Sequence, residues 1–170
     1  IPGGEIFTSL QTGVIDAAEW VGPFNDLVLG FHQVAKYYYY PGWQEPGPNL
    51  ELIINQDAFN ELPKDLQAML RNASLAVNND VLSEYTARNN QALKELVEVH
   101  QVQVRRLPDD VLAALKVISD EKVQALVGDD PLNQRIFDSY QAYRRSVMDY
   151  NELSERAFHN ARAKLEGYEP

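Results

Sequence analysis

The sequence predicts an α/β fold, and three observations predict it. Apolar or aromatic runs alternate with helical stretches through the first sixty or so residues, a single long stretch then keeps apolar residues at helical spacing, and a β-favouring run returns before the chain turns helical again. At 170 residues, with 45% hydrophobic and 24% charged residues, the chain has the size and composition of an ordinary globular unit that can bury one substantial core.

The N-terminal elements come first. Ile1-Pro2-Gly3-Gly4 leads straight into a helical pattern over residues 5–12, with Ile6 and Leu10 on one face and Gly13 as a left-handed C-cap. The chain begins as though in mid-fold, which is expected of a fragment whose preceding residues form the rest of a protein. Residues 14–21 read as a buried strand, broken by Gly22-Pro23, and residues 26–35 read as helix. Residues 36–40 are aromatic and β-favouring, Pro41-Gly42 makes a turn, and residues 50–55 form a second β-rich run, bounded by Pro48 and by Asp57 as the N-cap of the next helix.

After Pro63, the apolar positions Leu66, Met69, Ala73, Val77, Val81, Tyr85, Ala92 and Leu96 predict one long helix. Residues 102–107 alternate like a strand, and Pro108-Asp109-Asp110 opens a helix that ends near Gly128. From Pro131 a seam at Ile136, Tyr140, Tyr143, Val147, Tyr150, Ser154, Ala157 and Ala161 advances in steps of three and four, the spacing of a coiled coil. Run continuously over about thirty-five residues, it makes a helix of about 50 Å, long enough to cross between lobes or to meet a partner chain. The chain thus divides into a strand and helix segment (1–60), a long helix with its return strand (61–107) and C-terminal helices (108–170).

Charge and composition exclude several functions. Twenty-five acidic against fifteen basic residues give a net charge of −10, and no stripe of Lys and Arg is gathered to follow a phosphate backbone, so nucleic acid is not an expected partner. No apolar run approaches the length that spans a bilayer. Cysteine is absent, which suits an exported protein without fixing a compartment. The sequence has no phosphate loop, nucleophile elbow or metalloprotease helix motif, and His32, His100 and His159 stand far apart in the chain without triad-like partners. An enzyme is not expected.

Two dense motifs remain: Glu19-Trp20-Val21-Gly22-Pro23-Phe24-Asn25-Asp26, and the tyrosine run that leads into Tyr40-Pro41-Gly42-Trp43-Gln44-Glu45-Pro46-Gly47. Glu19 ends the first predicted strand, where open α/β sheets hold their ligands, and Glu45 sits in a rigid loop bounded by Pro and Gly. Two carboxylates brought to one cleft repel unless they share a proton, meet a basic group or bind a cation. Neither motif contains Lys or Arg, and the absence of cysteine and of a histidine pair favours a hard cation such as sodium, calcium or magnesium over zinc. A solvated Glu and an aromatic core explain the same residues without a ligand. A hydrolase using Glu19 and Glu45 as acid and base, and a helical interaction module built on the C-terminal seam, are the two other readings.

The stretch from Pro2-Gly3-Gly4-Glu5-Ile6-Phe7 through Gly13-Val14-Ile15-Asp16-Ala17-Ala18-Glu19-Trp20 resembles the periplasmic solute-binding subunits of tripartite ATP-independent periplasmic (TRAP) transporters. The Gly22-Pro23-Phe24-Asn25-Asp26 continuation and the 40–47 loop are most similar to the branch that binds 2-oxo acids and lactate with a metal ion. The resemblance implies a two-lobed, type II-like periplasmic-binding-protein fold, of which this chain is the C-terminal half, ending in a long helix. It implies a periplasmic protein that captures a small organic acid anion together with calcium or sodium and delivers it to the membrane subunits of the transporter. By the same resemblance, Glu19 and Glu45 give side-chain oxygens to the cation, Trp20 gives its backbone carbonyl and walls the pocket with its indole, and Asn25 is a polar contact to substrate. The arginine that pairs with the substrate carboxylate and a glutamine ligand belong to the half that is absent here. The terminal helix either braces both lobes or exchanges between the protomers of a homodimer.

Overall fold

The computed structural model describes residues 1–45, 47 and 50–167. A short 3-10 helix at Gly3–Glu5 runs into α1 (Ile6–Thr12), which Gly13 closes with its backbone in the left-handed region (φ 72°), as its position after the last helical residue predicts. Helix α2 (Pro23–Val28) starts on Pro23, whose fixed φ suits a first helical position. It is shorter than the sequence predicts, because Gly30 enters the left-handed region (φ 73°) and restarts the chain as a 3-10 helix at Phe31–Gln33. Strand β1 (Tyr37–Tyr40) comes next, and the Tyr40–Pro41 peptide is cis.

Helix α3 (Gln56–Glu61) is capped by Asn55, whose side chain accepts from the backbone N–H groups of Asp57 and Ala58. Asp57 is therefore not the cap that the sequence predicts but a donor to it, because Asn55 reaches the free amides first. The long helix is α4 (Lys64–Glu98), entered from Pro63. It returns through Val102 to β2 (Gln103–Arg106), which pairs in parallel with β1 in the register Tyr37 to Gln103 through Tyr40 to Arg106. Helix α5 (Asp109–Val127) ends at Gly128, and α6 (Pro131–Leu153) is capped by Asp130.

Three expectations are corrected. Residues 14–21 and 50–55 form no strand: the sheet of the described residues has two strands, β1 and β2, and neither run has a ladder partner, the Val14 and Ile15 amides bonding back to the Ser9 carbonyl instead. Ile53 is accordingly 86% exposed. The C-terminal helix is not continuous. Ser154 leaves helical geometry (φ −110°, ψ −107°), with its hydroxyl hydrogen-bonded to the Tyr150 carbonyl, and α7 (Glu155–Glu166) starts afresh.

The chain forms two units, residues 1–112 and 113–170. In the first, Ile6, Ala92, Leu96 and Val102 are buried, so the core gathers around the C-terminal third of α4 and the turn that follows it, where the Val102 N–H bonds back to the Leu96 carbonyl, with α2 packed on α4. Farther up α4, Leu66, Met69, Val77 and Val81 are exposed and line part of an open apolar stripe. In the second unit Val127 is buried, α6 runs into α7 at Ser154, and the Ile136, Tyr140, Tyr143, Val147 and Tyr150 seam is exposed. Among the described residues, no helix is long and apolar enough to cross a membrane.

Candidate functional site

The first motif is held in place by α4. The Phe24 N–H, a free donor in the first turn of α2, gives its hydrogen bond to Asn89 Oδ1 at 2.9 Å. The Phe24 ring stands edge-on to Tyr85 with centroids 6.1 Å apart, and the Arg88 guanidinium lies 5.0 Å over its face. A Cβ on Gly22 would come 3.3 Å from Asn89 Oδ1, so the glycine lets the chain approach α4 this closely. Asn89 occupies the same helical stripe as Tyr85, Ala92 and Leu96; a polar residue at that point of an apolar stripe is the one sequence signal of its role.

Within α2, Asp26 is 8% exposed and accepts a 2.6 Å hydrogen bond from the Tyr38 hydroxyl of β1. Its other oxygen, Oδ1, and the side-chain oxygen of neighbouring Asn25 are buried and accept no hydrogen bond from the described residues. Burial raises the Asp26 pKa above the ordinary carboxylate value; the Tyr38 hydroxyl and the backbone at Gly22 oppose the rise, and the nearby Glu19 charge adds to it. Burial, reinforced by the hydrogen bond and charge of Asp26, raises the Tyr38 pKa in turn. Neither Asp26 nor Tyr38 stands out in the sequence as a site residue. Asp26 closes the first dense motif without a role of its own, and Tyr38 is one of four tyrosines in a row.

The residues singled out in the sequence fall on two segments, one before and within α2 and one after β1. Trp20 packs its indole against Gly3, where a Cβ would meet the ring at 2.6 Å, and stands edge-on to Phe31 at 6.4 Å. The N-terminal turn and the second 3-10 helix therefore both contact the indole, and 38% of the residue remains exposed. Glu19 is exposed and close enough to Asp26 for its charge to act there. Asn25 is half-buried beside Asp26, so Glu19, Trp20 and Asn25 belong to one segment gathered around α2. Glu45 is exposed in the turn after β1, with its carbonyl 2.5 Å from the place of a Cβ on Gly42, which ties that turn to glycine. Pro46 and Pro48 of the same loop lie outside the described residues.

As donors, two carboxylates and a backbone carbonyl suit a hard cation. They fill only part of its shell. Calcium takes about six to eight oxygens, and no group of three acidic or histidine side chains converges among the described residues. The histidines are less separate than the sequence implies: His32 and His100 stack with ring centroids 3.9 Å apart, and His100 Nε2 lies 3.7 Å from Glu95. Burial lowers the His32 pKa, as does the His100 ring beside it, against an opposing effect from Glu95.

Residues 1–130 match the family described as bacterial extracellular solute-binding protein, family 7 (DctP). The chain belongs to this family. A curated relative, the monocarboxylate 2-oxoacid-binding periplasmic protein of Nostoc sp., is 35% identical over 160 residues, covering 94% of this chain and 44% of its own length. Two solved structures share the fold of the family. A TRAP transporter solute-binding protein of Bordetella bronchiseptica, crystallised as a dimer with copurified calcium and picolinate at its active site, matches 98% of this chain and 49% of its own with a TM-score of 0.91 at 32% identity. A TRAP periplasmic solute-binding protein of Pseudoalteromonas atlantica with bound sodium and pyruvate matches 94% and 49%, with a TM-score of 0.83 at 36% identity. The chain thus has the α/β fold of about half of a two-lobed periplasmic solute-binding protein, and it spans about half the length of the relatives it matches. Members of family 7 are solute-binding proteins and not enzymes, which removes the basis for reading Glu19 and Glu45 as a hydrolytic pair.

Proposed function

We propose that this chain is one wall of a periplasmic TRAP solute-binding protein that captures a small organic acid anion, a 2-oxo acid such as pyruvate or a 2-hydroxy acid such as lactate, together with calcium or sodium. The observation that carries the reading is the match of nearly the whole chain to half of two proteins that each hold a small carboxylate with a hard cation. In this reading Glu19, Glu45 and the Trp20 carbonyl give oxygens to the cation, the Trp20 indole walls the pocket and Asn25 meets the substrate. The chemistry supports it. In a chain of net charge −10, a site that contains two carboxylates holds an organic anion only when a cation screens them, so cation and anion bind as a linked pair.

Such a protein works by capture and delivery. Ligand stabilises the closed form through contacts that the open form lacks, and the membrane subunits of the transporter distinguish the closed form. The exposed α6 seam supports self-association as well, and we propose a homodimer through these C-terminal helices, as the dimeric Bordetella relative suggests. Sedimentation of the protein before and after removal of residues 131–170 tests this, and an unchanged state of association refutes it.

The functional test is calorimetric titration of the full-length protein with pyruvate and lactate, with and without calcium or sodium. Cation-dependent binding is expected, and both Glu19→Gln and Glu45→Gln should weaken it. Binding of none of these acids under any cation condition refutes the reading.

A further inference from the structure

We propose that Asp26 and Tyr38 form a positioning pair, a buried hydrogen-bonded clasp that locks the segment carrying Glu19, Trp20 and Asn25 to the strand leading into the Glu45 turn. The inference rests on the proposed function for what the clasp positions, and on geometry for the clasp itself. The two candidate cation carboxylates lie in separate stretches of chain, one before α2 and one after β1. A shared cation needs its oxygens at fixed separation, because small misplacements of donors cost much of the binding. Among the described side-chain hydrogen bonds, the one that joins α2 to β1 is the 2.6 Å bond from the Tyr38 hydroxyl to Asp26.

Both partners are placed for this and for little else. Tyr38 is the half-buried member of the run, between exposed Tyr37 and Tyr39, so strand alternation turns its ring inward while its neighbours face out. Its strand is fixed from the other side by the ladder to β2 and by the Arg105 guanidinium, 4.0 Å over the Tyr37 ring. Asp26 in turn sits in a helix clamped to α4 through Phe24 and Asn89. A buried carboxylate with one oxygen that has no partner among the described residues is a poor way to stabilise a fold, and an apolar pair of the same shape would do so better. What a hydrogen-bonded acid and phenol supply that an apolar pair does not is a single fixed distance and direction between two segments.

The experiment compares Tyr38→Phe and Asp26→Asn in the full-length protein, using pyruvate titrations in calcium and backbone hydrogen exchange without ligand. Tyr38→Phe keeps the ring and loses only the hydroxyl. It should weaken calcium-linked pyruvate binding about tenfold and speed exchange of the hydrogen-bonded amides in the two segments, α2 and β1, together. Asp26→Asn keeps an oxygen acceptor for the hydroxyl and should stay within about threefold of the parent. The double variant should bind no more weakly than Tyr38→Phe alone. If Tyr38→Phe lowers the melting temperature but leaves affinity and the exchange of the two segments as in the parent, the pair is merely structural and the proposal is overturned. If the parent itself binds none of the acids, the functional reading fails on its own, and exchange still decides whether the clasp couples the two segments.

Discussion

The contact between Gly3 and Trp20 gives the most demanding prediction. A methyl group at residue 3 would lie 2.6 Å from Cη2 and 3.0 Å from Cζ3 of the indole. Carbon atoms rest at about 3.5 Å or more, so the ring must retreat by about 0.9 Å. Indole is rigid, and it already holds the edge-on Phe31 ring at 6.4 Å. Retreat therefore either lifts the indole toward solvent, weakening an aromatic contact of about 1 kcal/mol, or displaces the N-terminal turn. Because Trp20 is already 38% exposed, the cost belongs in the lower part of the overpacking range, about 1–2 kcal/mol. In a protein of this size or larger that lowers the melting temperature by about 2–8 °C. Gly4 is the control. Nothing lies within 4 Å of a Cβ there, so Gly4→Ala should leave stability unchanged or slightly raised. The assay is a thermal melt alongside Trp20 fluorescence in a Trp43→Phe background, since these are the two tryptophans of the chain. Gly3→Ala should shift the emission and lower the melt; because Trp20 is also the proposed pocket wall, pyruvate affinity should fall with them. A Gly3→Ala protein with the emission and melting temperature of the Gly4→Ala control refutes the reasoning.

Three further outcomes are expected. Asn89→Ala leaves the Phe24 N–H without its acceptor and should cost about 1–3 kcal/mol in urea unfolding, while Asn89→Asp, which keeps an oxygen at that position, should lose less. Asn55→Ala should destabilise by about 1 kcal/mol through loss of the α3 cap, measured by chemical denaturation, whereas Asp57→Ala should do so by less, reversing the order that the sequence alone suggests. The lowered pKa of His32 makes stability depend on pH. The unfolded chain takes up a proton near pH 6.5 where the folded chain resists it, so this contribution is complete above that value and is lost as pH falls through it toward the folded pKa. The slope is at most about 1.4 kcal/mol per pH unit for one proton, and His100→Asn, which removes the neighbouring imidazole, should flatten it in melts between about pH 7.5 and 5.

Which of these features the sequence reveals depends on where the hydrogen bonds go. A helix bonds within itself, so local periodicity locates it, and α4, α5 and the start of α6 fall where apolar spacing, Pro63, Pro108 and Pro131 put them. A strand bonds elsewhere. Residues 14–21 and 50–55 have the composition of strands, yet composition cannot supply a ladder partner, whereas the tyrosine run finds one in β2, more than sixty residues away. The break at Ser154 escapes a reading by seam spacing because steps of three and four continue across it unchanged. Glu19 and Glu45 are singled out by their place in the two dense motifs, and the roles of all four, Glu19, Trp20, Asn25 and Glu45, come from motif resemblance. The contacts that hold their segments span 12 residues from Asp26 to Tyr38 and 65 from Phe24 to Asn89, beyond any local pattern.

The distribution of packing along α4 bears on what the helix does. From its start to Val81 it presents Leu66, Met69, Val77 and Val81 to solvent as an open stripe, whereas the part from Tyr85 onward carries Tyr85, Asn89, Ala92 and Leu96, with Leu96 only 2% exposed. The side chains that tie α2 to this helix, Tyr85, Arg88 and Asn89, all belong to that C-terminal part. The same end leads through Val102 into β2, and β2 is what aligns β1 and the Glu45 turn. One helix end therefore anchors both segments of the candidate site, directly for the first and through the sheet for the second. Substitutions in the last turns of α4 should act on the relative position of those two segments, and thus on a ligand held by both, even where they touch neither. Substitutions along the open stripe leave these contacts intact and should act on whatever packs against it.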